Sequence, residues 1–251
     1  MMIHLRIFLV LIFSICILFQ GKGLKAEGIE YDLKSYYPIK QGNVMLYTEK
    51  EEGNENLQKS ISMTFGIEFL GPIPLHTIWK WESADKKKLE YELLCWSGMT
   101  GLTLYKEYRS VLEIEYYLEY DQPVILLPSK MSIGQTIEPT PYTYKWYDSG
   151  GQEISSGTEI IGLTLLGVED VTVKAGTFTN CLKFQREGSW EESDGDWGDY
   201  KETFWLAEDV GMLKVIEEET EYIEGIEKTE TITYELKKYF TVPIPLGGKI
   251  N

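Results

Sequence analysis

The chain has 251 residues, enough for one large β domain or two small ones, with 24 basic against 40 acidic residues and a net charge of −16. A field of that sign repels phosphate backbones and anionic headgroups, which argues against a nucleic-acid partner. Two histidines and three cysteines in the whole chain leave little material for metal or thiol chemistry.

Residues 1–26 have the build of a secretory signal peptide. Arg6 forms a short basic region, Ile7 to Phe19 an apolar run broken only by Ser14 and Cys16, and Gln20 to Ala26 a polar end closing on a small residue. The run is too short for a spanning helix, which needs about 20 apolar residues. Cleavage after Ala26 is expected. An uncleaved membrane anchor is the alternative, because Leu24 is larger than the ideal residue there. Loss of Arg6, Lys22 and Lys25, with no acid beside them, would take the net charge from −16 to −19. The mature chain, 27–251, is read as one domain, since no linker or composition shift divides it and no fixed repeat runs through it.

Ser35 to Thr48, SYYPIKQGNVMLYT, leads into a first strand from Asn43. Ser60 to Phe69 alternates most cleanly, with Ile61, Met63, Phe65, Ile67 and Phe69 on one side. Thr77 to Glu82 carries Trp79 and Trp81 on one face. Leu89 to Cys95 follows at period two, although Ser83 to Leu94 also has the makings of a capped helix. Leu102-x-Leu104 is next, then Leu112 to Leu118 alternates against glutamates. Val124 to Leu127 is continuously apolar between Pro123 and Pro128, so it reads as a buried strand end or a covered connector. Tyr142, Tyr144 and Trp146 alternate, and Asp148-Ser-Gly-Gly makes a turn.

Glu159 to Gly167 runs into Val168 to Phe184, VEDVTVKAGTFTNCLKF. Val171 and Val173 point one way, Gly176 can take a positive φ, Phe178 tucks under the turn, and Leu182 and Phe184 resume the alternation. Lys201 to Leu206, Met212 to Thr220 and Lys228 to Phe240 complete the strands, with Gly225 as the last turn. A Pro- and Gly-bearing tail begins near 242. The fold class expected is all-β: a single antiparallel, strongly twisted or half-barrel sheet with little helix.

Three blocks, Ser35–Thr48, Val168–Phe184 and ETFWLAEDVGMLKVI (Glu202–Ile216), resemble a family of uncharacterised secreted bacterial β-proteins, a domain of unknown function. The third block has Glu208-Asp209 where the family commonly has a Pro-Gly turn. The resemblance implies an envelope location, secreted or periplasmic, and a fold similar to periplasmic lipoprotein carriers; it implies no activity.

The residues name no catalytic, cofactor-binding or metal-ligating set. His76 is the one histidine left after processing, so a two-histidine metal site is ruled out, and it sits in no nucleophile motif. Carboxylates abound without picking out a pair for glycoside cleavage. Asp194, Asp196 and Asp199 lie among glycines and offer oxygens to calcium, yet the spacing lacks the closing glutamate, and an acidic hairpin tip is the better reading. Cys95 and Cys181 sit in apolar company: either two buried thiols or, after export, a disulfide.

Three functions remain. The first is a non-enzymatic envelope protein binding a neutral hydrophobic small molecule, on a face with Ile61, Phe65, Trp79 and Trp81. The second is a structural or interaction module meeting another envelope protein. The third is a hydrolase of unknown type.

Overall fold

The computed structural model describes residues 28–52, 58–70, 73–82, 88–97, 99–111, 114–223 and 225–241. The signal segment, the tail from 242 and the turn at 83–87 lie outside them.

Alternation of apolar and polar residues produces long strands joined by tight turns. In chain order they are β1 (Glu30–Asp32), β2 (Val44–Glu51), β3 (Gln58–Leu70), β4 (Ile73–Glu82), β5 (Lys88–Ser97), β6 (Gly101–Val111) and β7 (Ile114–Leu127). Then come β8 (Lys130–Ser132), β9 (Thr136–Asp148), β10 (Glu153–Val173), β11 (Gly176–Glu192), β12 (Trp197–Ala207), β13 (Gly211–Ile223) and β14 (Ile226–Phe240). A single-turn helix, α1 (Leu33–Tyr36), starts where the Asp32 carboxylate accepts the Lys34 amide.

Strands β2 to β7 pair each with the next, β7 pairs with β9, β9 to β14 continue in order, and β14 pairs back onto β2. Every pairing is antiparallel. The expected twisted antiparallel sheet is present, and its curl runs on until twelve strands close into a barrel. From Lys88 onward the helical alternative gives way to β5, because the period-two pattern from Leu89 matches both neighbouring ladders. The short pair β1–β8 stands apart.

The closure is least complete between β7 and β9, where only Tyr116–Tyr120 is paired. Beyond it β7 carries Pro123, which has no amide to give a ladder. Val124 to Leu127 is therefore a strand end paired to β6 alone, with Val124 and Leu127 buried and Ile125 exposed.

The stretch Val168–Phe184 is the tip of the β10–β11 hairpin. Two bulges, at Leu165/Gly167 and Glu169/Val171, bend it. Asn180 takes a left-handed φ of 56° at the second bulge, and its amide is held by the Asp170 carboxylate. The bent tip reaches across one end of the barrel, where the Ala175 amide bonds the carbonyl of Leu236 on β14. α1 closes the same end, with Leu33 and Tyr36 in the core and the Ser35 carbonyl accepting the Asp209 amide. Asp209, at φ 60°, makes the β12–β13 turn.

Gly176 has φ 138° with open space around it, so Gly176→Val should cost more than about 1 kcal/mol through backbone strain alone. Phe178 is only half-buried, against Tyr239, which puts Phe178→Ala nearer 1–2 kcal/mol than the 3–5 typical of a fully buried ring. Urea melts of the two variants check both values. Wild-type midpoints in both would make the tip a passive loop.

Candidate functional site: the polar half of the barrel interior

Residues directly opposed across a ladder share a face, so inward rows can be followed around the wall. Four successive rows cross β10 to β13. The first is Leu165–Phe184–Phe204–Val215 and the second Leu163–Arg186–Glu202–Glu217. The third is Ile161–Gly188–Tyr200–Glu219, and the fourth Glu159–Trp190–Gly198–Glu221. The interior thus passes from apolar to acidic and aromatic over about six residues of strand, or roughly 20 Å.

The apolar half is filled. Phe184 and Phe204 stack at 5.1 Å, and Met45, Tyr47, Met63, Phe65, Ile78 and Leu94 close the opposite wall. A cavity of about 10 Å³ beside Met45, Tyr47, Met63 and Phe65 holds no more than one water. Arg186 caps this half. Its guanidinium lies 5.2 Å from the Phe204 ring and donates to Glu202 at 2.7 Å, while its Nε is buried without a partner.

The polar half is half-buried rather than sealed. An open space of about 420 Å³ is bordered by residues of both parities, Gly188, Tyr200 and Glu219 with Glu187, Lys201 and Glu218. Three rings of this half each lie across a glycine on the neighbouring strand. A Cβ on Gly188 would stand 2.3 Å from the Tyr200 ring, one on Gly198 2.6 Å from the Trp190 ring, and one on Gly157 2.6 Å from the Tyr144 ring. Each glycine is the directly opposed partner of its ring, the arrangement by which an aromatic covers a glycine in a sheet. The glycines let the rings lie down.

The ring hydroxyls end on carboxylates. Glu159 accepts from Tyr200 at 2.8 Å and from Tyr120 at 2.9 Å. Glu192 accepts from Ser155 at 2.6 Å, from the Trp146 indole at 3.0 Å and from Tyr144 at 3.5 Å. Burial first, and then these carboxylates, push the phenols of Tyr120, Tyr144 and Tyr200 well above the usual tyrosine range, so they stay protonated donors. Arg109 enters from β6, its guanidinium 5.2 Å from the Trp146 ring and 3.6 Å from Glu107.

Glu219 is pushed up to about 7, by burial first and then by Glu221 and Glu230, with Arg109 opposing. A carboxyl raised in this way holds its proton more tightly folded than unfolded. Its contribution to stability is greatest below about pH 4.5 and is lost as pH rises toward 7. Glu219→Gln should therefore exceed wild type by about 1 kcal/mol at pH 8 after solvent screening, and match it at pH 4. Urea midpoints at both pH values check this; an equal offset at both would mean Glu219 does not titrate in that window.

The four residues expected to share a ligand face do not. Register sets positions 79 and 81 opposite Thr64 and Ser62, while position 61 faces Glu82 and Phe65 faces Ile78. The tryptophan positions are therefore on the other side of the wall from 61 and 65. Position 76, the histidine, stands opposite Ile67 and Leu94. Cys181 is a buried free thiol, so it forms no disulfide with Cys95, whose backbone lies on β5 opposite Thr103. The loop from Asp194 to Asp196 is the β11–β12 hairpin tip, with the Asp194 carboxylate turned onto the Asp196 amide and Asp199 already on β12 opposite Ser189. Among the described residues no three His, Cys, Asp or Glu side chains are grouped to hold a metal ion.

Sequence reasoning missed Tyr120, Glu159, Gly188 and Tyr200. The signal was present as glycines inside strands, at 157, 188 and 198, which mark close approach of another group. Which ring approaches each depends on register.

No curated protein matches the chain. A crystal structure of a candidate exported protein with YmcC-like fold from Bacteroides fragilis aligns at TM-score 0.43 and 11% identity, over 82% of this chain and 99% of that one. A candidate lipoprotein from Parabacteroides distasonis aligns at TM-score 0.41 and 13% identity, over 82% and 98%. Two of the three sequence blocks, Val168–Phe184 and Glu202–Ile216, fall inside the segment that a family pattern recognises: residues 97–221 match the model of the DUF3108-like family.

Proposed function

We propose that the chain is exported, loses residues 1–26, and works as a one-domain, non-enzymatic envelope protein that binds a small molecule in the polar half of its barrel. The observation that carries this is the set of three rings laid on glycines in the half-buried polar part of the barrel, beside the carboxylates Glu159 and Glu192. An apolar ligand has no room in the filled half, so the aromatic half is where binding belongs. The outer wall supports an aqueous setting. Glu187, Lys201 and Glu218 form one outward row across β11, β12 and β13, and a lipid-facing charge at mid-bilayer would cost about 2–4 kcal/mol. Among the described residues no helix is long and apolar enough to cross a membrane.

Native mass spectrometry of protein released from the envelope without detergent tests the reading. A small-molecule adduct is expected, and it should be lost in Gly188→Leu, which drives the Tyr200 ring off the wall. Wild type without an adduct, and with tryptophan emission unmoved by an envelope extract, would leave the interaction module in its place. N-terminal sequencing of the same material should begin at Glu27; a chain starting at Met1 would favour the anchored form.

A further inference from the structure

We infer that the barrel wall parts at the seam between β7 and β9, where Asp121–Leu127 runs beside Thr136–Thr143, and that this seam is a lateral opening onto the buried guanidinium of Arg186. The inference stands apart from the small-molecule role proposed above, because it rests on the wall and not on any occupant.

The seam lacks the bonds that close the rest of the wall. The β7–β9 ladder ends at the pair Tyr120–Tyr144. Beyond that pair β7 stays tied to β6 through Leu104–Val124, Thr103–Ile125 and Leu102–Leu127. β9 stays tied to β10 from Thr143–Thr158 to Thr136–Thr164. The two lips can therefore separate while each keeps its outer ladder. Parting the other strand neighbours of the wall means breaking ladder pairs.

Three prolines keep the lips from zipping. Pro123 stands on β7, Pro139 and Pro141 on β9, and none has an amide to give. Pro141 is paired opposite Ile160, a position open to proline only with its nitrogen turned from that ladder, toward the seam. Prolines on an edge block strand pairing there.

Side chains bridge the lips instead. The Ile125 amide points into the seam and donates to the Tyr142 hydroxyl at 3.5 Å, and Arg186 Nη2 donates to the Leu126 carbonyl at 3.5 Å. Both lie at the long limit for a hydrogen bond. At the end nearer the ladder the Thr143 hydroxyl donates to the Asp121 carboxylate. Val124, Leu127 and Tyr142 are 0%, 2% and 6% exposed, so the seam is shut at rest. A segment laddered on one side only, with long bonds on the other, opens at lower free energy than the core. Arg186 reaches Leu126 from within, so opening brings solvent or a solute to its unpartnered Nε.

Thiol labelling of the full chain tests the opening. In Val124→Cys, mass-spectrometric peptide mapping reads the maleimide rate at position 124 against that of native Cys181 in the same molecules; both sites are 0% exposed. Position 124 should label about a hundredfold faster, at a rate indifferent to low urea, while Cys181 follows global unfolding. Leu127→Cys gives the same comparison if the first variant does not fold. Adding Tyr142→Phe should raise the rate at the seam roughly threefold and leave Cys181 unchanged. Leu206→Cys, 0% exposed and laddered on both sides, should label no faster than Cys181. Equal rates at position 124 and Cys181, with the same urea dependence, would overturn the inference, as would fast labelling at position 206. These rates need no bound small molecule, so loss of the binding role would leave the result standing.

Discussion

Phe184→Ala should lower the unfolding free energy by about 3–5 kcal/mol, the range for truncating a fully buried aromatic. Phe184 is 0% exposed, stacks on Phe204 at 5.1 Å, and is directly opposed by Leu165 on the other side. The cavity would open in the centre of the filled half, between two strands whose ladders hold the walls apart, so collapse is hindered and the upper part of the range applies. It also removes the ring that stacks on Phe204, over which Arg186 rests. Phe184→Leu, which keeps most of the volume, should cost no more than about 1.5 kcal/mol. Denaturant melts of the pair provide the comparison. Equal and small losses in both would mean that the apolar half repacks freely and that the ring stack is not what sustains it.

Glu202→Leu should cost about 3 kcal/mol or more. The Arg186–Glu202 pair bonds at 2.7 Å with side chains only 19% and 20% exposed, at the boundary between the apolar and acidic halves. Removing the carboxylate leaves a guanidinium with an already orphaned Nε in a place where water is scarce. Breaking one partner of such a pair typically costs about 3–5 kcal/mol, whereas replacing both by apolar residues is often neutral. Arg186→Met with Glu202→Leu should therefore recover most of the loss. If the double variant melts no better than the single one, the cost comes from packing in the second inward row and not from the stranded charge.

The all-β class, the order of the strands and most turns were legible because each depends on near neighbours in the chain. Alternation over Ser60–Phe69 becomes β3, Gly225 turns β13 into β14 at φ 85°, and Asp148 caps its own turn through the amides of Gly150 and Gln152. The unusual left-handed Asp209 was foreshadowed by Glu-Asp standing in a turn position. Misreadings arose where a long-range choice intervened. Trp79 and Trp81 form a face of their own strand, but which side of the wall that face occupies depends on β4's register against β3. The acidic run before Trp197 is a hairpin tip, as its incomplete spacing indicates, while the carboxylates set among aromatics, Glu159 and Glu192, lie on separate strands 33 residues apart in the numbering.

The sequence by itself determined an acidic β chain, the approximate placing of its strands and the glycine turn at 176, since charge, period-two burial and turn stereochemistry are local properties. Tertiary structure decided that the sheet closes, that the β10–β11 tip bends under one end, and that the interior divides into a filled half and an aromatic, acidic half. Those outcomes rest on ladder register and on bulges. A shift of one residue exchanges the two faces of a strand, and only the partner strands select among such shifts.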